Sequence, residues 1–126
     1  MEKILNILGE ELDICSCEPM TGWYRDGSCH TDIDDHGIHT VCCVVTDPFL
    51  QFIKSKGNDL ITPSPQNGFP GLKAGDHWCV CAGSWYDAYK AGFACPISHE
   101  STHCETLAII PRSVLNEWRF SSDSLN

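Results

Sequence analysis

The stretch "DHWCVCA" (residues 76–82) places two cysteines one residue apart, with a histidine two positions before the first. Thiolates and imidazoles serve as metal ligands, as redox pairs, or as nucleophile and base. Read as a strand, His77, Cys79 and Cys81 share one face, and Trp78, Val80 and Ala82 share the other. Neighbours on that face lie roughly 6.6–6.8 Å apart. A disulfide wants Cα atoms about 5.5–6 Å apart, so a Cys79–Cys81 bond is disfavoured in a regular strand. A metal is more forgiving, because Zn–S bonds of about 2.3 Å let two leaning thiolates meet one ion. His77 and Cys81 are about 13 Å apart on the same arithmetic and cannot share it. The segment is therefore at most half of a site.

The other half has to come from Cys15, Cys17, Cys29, His30, His36, His39, Cys42 or Cys43. Strand alternation sends Cys42 and Cys43 to opposite faces and puts His39 with Cys43. No spacing repeats the paired C-x-x-C or H-x-x-x-H knuckles of zinc fingers and ribbons. Free cysteine also packs well as a small buried apolar group, which is the plainer reading. For catalysis, Cys42 and Cys81 each stand shortly before a helix start, and His39 or His77 is the base. Asp59 is an acid–base candidate, and Arg25 and Asp26 join it as loop-site candidates. Asp in such turns more often closes an Asx-turn or caps amides.

These residues must be held by one domain. The chain has 126 residues, of which 42% are hydrophobic, and four tryptophans, enough for a single core. Its net charge of -9 and lack of a basic stripe argue against nucleic acid and anionic membranes as partners. A small molecule or a protein is the partner class left open. The apolar run at the start ends at Leu8, short of a signal peptide, and no run approaches a membrane span. The expected location is cytoplasmic, where disulfides do not persist. Nine cysteines are many for that setting, and an odd number cannot all pair.

The pattern predicts an α+β fold: a small sheet, about three short helices and two long ordered loops. Residues 3–8 read as a short strand turned at Gly9. "IHTVCCVVT" (38–46) reads as a central strand, apolar on both faces. A helix follows over 48–56, capped by Asp47, with Pro48 in its first turn and Gly57 past its end. Residues 77–82 form the second strand. Ser84 caps a helix over 85–91 that stops at Gly92. Residues 104–110 read as a third strand, and 111–118 as a last helix. The loops are 15–37 and 58–76. Residues 1–118 make one domain, and 119–126 a flexible tail.

The segments "CSCEPMTGWYRDGSCHT", "GIHTVCCVVT", "SKGNDLITPSPQNGFPGLKAGDHWCVCAGSW" and "AGFACP" resemble a family of small bacterial proteins described as a domain of unknown function. The resemblance runs from about Asn6 to Pro111. It implies that Cys15, Cys29, Cys42, Cys79, Cys81 and His39 belong to a shared pattern, with Arg25, Asp26 and Asp59 in its loops. His77, Cys17, Cys43, Cys95 and Cys104 fall outside the pattern. Ser84 stands where the family carries an arginine. No activity comes with the resemblance. Three readings follow. The six shared residues bind a metal such as zinc or form a thiol site. Alternatively, the loops present Trp23, Tyr24 and Phe69 to a partner as a binding module. In the third, Cys42 or Cys81 is the nucleophile of an enzyme with His39 as base.

Overall fold

The structure is a computed structural model that describes residues 4–31, 35 and 38–120. It is α+β and forms one domain. Strand β1 (Val41–Val44) pairs antiparallel with β2 (His77–Val80), with Cys42 opposite Cys79 and Cys43 opposite Trp78. Helix α1 (Asp47–Ser55) follows β1, α2 (Ala82–Ala91) follows β2, and α3 (Arg112–Glu117) comes near the end.

Alternation sorts the two strands as their sequences predict. Val41, Cys43, Trp78 and Val80 enter the main core, while Cys42 and Cys79 face a separate buried patch. The main core closes over Trp85, Phe49, Leu50, Ile97, Ile110 and Leu115, each no more than 2% exposed. The three apolar positions expected of α1, namely Phe49, Leu50 and Ile53, are all buried. Its cap is Thr46 rather than Asp47: the threonine Oγ1 accepts from Phe49 N at 3.3 Å.

Two predicted strands are absent among the described residues. Leu5 and Asn6 make only isolated bridges, because the Asn6 carboxamide oxygen ties up the amides of Leu8 and Glu10 in a local turn. Residues 104–108 form a 3-10 helix. His103 Nδ1 accepts from Glu105 N and starts that turn. Among the described residues, both sheet edges are also partly taken. The outer edge of β1 is taken by Pro96–Ser98, through Val44 N to Pro96 O and Ser98 N to Cys42 O. On β2, the Cys79 amide donates to the buried Thr21 hydroxyl at 2.8 Å. Arg119 and Phe120 pair with Ile97, and residues 121–126 lie outside the described residues.

The third departure matters most for chemistry. Helix α2 begins at Ala82, three residues earlier than Ser84 would cap it, and its N-cap is Cys81. The strand thus passes directly into the helix, and Cys81 is the joint. No helix among the described residues is long and apolar enough to cross a membrane.

Candidate functional site

The cysteines expected as free thiols divide into two groups. Cys15 is bonded to Cys42, and Cys29 to Cys79, with Cα–Cα distances of 5.7 and 5.4 Å. The expectation that disulfides would not persist is therefore corrected. Its physical cause is register: Cys42 and Cys79 stand directly opposite on one face of the sheet, and the first loop returns a cysteine to each. All four are at most 8% exposed. The sulfurs of Cys15, Cys29 and Cys79 lie within 4.8 Å of one another, a cysteine cluster of the kind that could hold a metal. Cys42, spent in its disulfide, is thereby removed as a candidate nucleophile.

Cys81 is free and half-buried. Its Sγ lies 3.2 Å from His39 Nε2, and His39 Nδ1 lies 2.7 Å from Asp35 Oδ1. The second oxygen of Asp35 accepts from the His39 amide at 2.8 Å and from the Thr31 hydroxyl at 3.0 Å. Thiol, imidazole and buried carboxylate thus form a chain through both nitrogens of one ring. The Cys81 sulfur is the largest influence on that ring: it raises the His39 pKa against the opposing effect of burial, and Asp35 adds to it, to about 9. For Asp35, burial would raise the pKa, but the hydrogen bonds from His39 outweigh it and hold the carboxyl below its ordinary range.

Strand parity put His39 on the face of Cys43, and this is also corrected. The strand starts only at Val41, and Ile38 has φ +53°, a conformation that β-branched residues rarely adopt. Its carbonyl accepts from Ala82 N at 3.1 Å, which ties the turn before β1 to the first residue of α2. That turn brings His39 to Cys81.

The loop "TGWYRDG" (21–27) frames the site. Trp23 stacks on the His39 ring, with centroids 5.4 Å apart. The Arg25 guanidinium lies over Trp78 at 5.2 Å and donates to Gly22 O at 2.6 Å. Gly22 is required there: at φ +99°, a Cβ would collide with the Ser28 carbonyl. Together Trp23, Arg25, His39, Asp59, Phe69, Trp78 and Cys81 line a cleft of about 540 Å³.

The chain matches, over residues 5–119, the family model described as uncharacterized protein conserved in bacteria, DUF2237. It belongs to that family. No curated protein matches it.

In this DUF2237 chain the site residues read from the sequence fall into two sets. His39 and Cys81 meet; Cys15 with Cys42 and Cys29 with Cys79 form disulfides, and Cys79 also lines the cleft. Asp59 lines the cleft, but its Oδ1 accepts from the amides of Ile61 and Thr62, the Asx-turn its setting suggested. Asp26 pairs with His30 at 2.6 Å and caps Ser28 N. His77 packs edge-on against Phe120, and His36 lies outside the described residues. Cys43 and Cys95 are buried in the core, where burial first, and then Cys43, pushes the Cys95 thiol pKa up. Asp35 was missed. Its signal was present as an acid four residues before His39, hidden among the other acids of "DIDD".

Proposed function

We propose that the chain is an enzyme acting through a covalent intermediate on Cys81, with His39 carrying the proton and Asp35 orienting the ring. One observation supports this reading above the others: the aligned Sγ–Nε2 and Nδ1–Oδ1 contacts, at 3.2 and 2.7 Å, inside the cleft. The chemistry that fits is acyl transfer. The thiolate attacks a carbonyl carbon, a C–S bond forms, and the carbonyl electron pair moves to oxygen. Collapse expels an amine, alcohol or thiol, which takes its proton from His39. Water, deprotonated by His39, then cleaves the thioester and restores the thiolate. Helix α2 has no side-chain cap, and its first-turn amides would serve as donors for the oxyanion.

Two measurements test this. Alkylation by iodoacetamide at pH 7, resolved by peptide mass spectrometry, should be roughly a hundredfold faster at Cys81 than at exposed Cys17. An activated ester should give an acyl-enzyme burst that Cys81→Ser abolishes. Equal alkylation rates at the two cysteines, with no burst, would sink the proposal.

The cysteine cluster supports a second reading. With both disulfides reduced, Cys15, Cys29, Cys42 and Cys79 would offer zinc four thiolates in one buried patch, the ligand set of a structural site. Metal analysis of protein purified under reductant, with thiol counts before and after chelation, decides it. Metal-free protein whose four cysteines are oxidised ends that reading.

A further inference from the structure

The cleft extends well beyond the thiol and its base. Besides His39 its charged residues are Arg25 and Asp59, and its aromatic residues are Trp23, Phe69 and Trp78. Asp59 is exposed and already engaged by two backbone amides. Arg25 is different. Among the described residues it has no carboxylate partner, although the chain carries 17 acids. Both its backbone amide and its Nη1 donate to Gly22 O, which fixes the guanidinium against Trp78. Its backbone φ is +56°, and Arg25 and Ile38 are the two non-glycine residues with positive φ among those described. Such a conformation is unfavourable and persists only where the surroundings hold it. One of the two aims His39 at Cys81; the other sets a planar cation in the same cleft. A guanidinium giving one contact to a carbonyl keeps an edge of N–H donors for a planar anion, which it grips in bidentate fashion.

We infer that Arg25 is the anion-binding residue of the cleft, and that the substrate is a small acyl compound carrying a carboxylate. This rests on the thiol reaction proposed above. The net charge of -9 disfavours the approach of an anion on average, so a local cation also serves as selection.

Iodoacetate and iodoacetamide separate the two ideas. Both form an S–CH2 bond and release iodide, but only one carries a carboxylate. With rates normalised to those of free glutathione, Cys81 should react with iodoacetate at least tenfold faster than with iodoacetamide, with saturation. Arg25→Gln should remove that preference, read as the ratio of the two rates in the variant itself, and an unchanged urea midpoint shows that the variant is folded. Arg25→Lys, which keeps charge but loses the fork, should fall between. In the unmodified protein, succinate should protect Cys81 while sodium chloride of equal ionic strength should not. Fast iodoacetamide labelling with no iodoacetate preference and no succinate protection overturns the anion site and leaves the thiol enzyme standing. Slow labelling of Cys81 by both reagents overturns both.

Discussion

Cys79 and Cys81 are two residues apart, yet they have opposite chemistry. Cys79 lies inside β2, opposite Cys42, in a buried patch of four cysteines, and is closed in a disulfide. Cys81 lies one residue past the strand, at the N-cap of α2, and faces an imidazole backed by a buried carboxylate. What separates them is the end of a strand. Regular pairing fixes a side chain against its cross-strand neighbour; the switch to helix frees the next cysteine and gives it a helix terminus. The first set staples the loop that carries Trp23 and Arg25, and the second uses what that loop brings.

The largest effect that can test this division is loss of a staple. The bonds span sequence separations of 27 and 50 residues, so each constrains the unfolded chain by about 3.5–4 kcal/mol in the chain-entropy model. Cys15→Ser should lower the unfolding free energy by about that amount in urea, with Cys81 still the fastest thiol toward iodoacetamide under native conditions. Fast labelling lost in a folded Cys15→Ser protein would mean that the two sets are one device.

Next comes the proton on His39. Its ordinary value of 6.5 is raised to about 9, with the Cys81 sulfur as the leading cause. A raised histidine value means that the imidazolium contributes fully to folding below pH 6.5. That contribution is lost as pH rises through about 9. Proton NMR should therefore place the His39 midpoint near 9 in the intact protein. In Cys81→Ala it should drop toward 6.5, while staying above it through Asp35. In Asp35→Asn the drop should be smaller. A midpoint near 6.5 in all three would show that the sulfur and the ring are neighbours without being coupled.

These contrasts show how far the sequence alone reaches. The alternation of "VCCV" and "HWCV" sorts Cys42 and Cys79 from Cys43, Trp78 and Val80, because period-two sorting is local. The face of α1 and the stops at Gly57 and Gly92 are legible for the same reason. Register is not local: nothing in either strand says that Cys42 stands opposite Cys79, so the disulfides were out of reach. The Cys81–His39 contact needs a broken rule, since Ile38 leaves the extended region and parity then misplaces His39. The third expected strand failed through competition, because Pro96–Ser98 already held the edge of β1.

Ile38 supplies the smallest and most discriminating effect. Its φ of +53° strains an isoleucine, whereas glycine adopts that conformation freely. Ile38→Gly removes strain of about 1 kcal/mol or somewhat more, but gives the unfolded chain more freedom, worth about 0.5–1 kcal/mol. Stability should hence change by less than about 1 kcal/mol in urea. The position of His39 has no such compensation. A glycine hinge beside it loosens the ring that Asp35 and Cys81 hold, so labelling of Cys81 by iodoacetamide should slow severalfold with the fold intact. Slower labelling in an equally stable protein would show that the strained residue serves to aim His39. Unchanged labelling would mean that Asp35 alone holds the ring, and that the strain at Ile38 belongs only to the turn that closes onto Ala82.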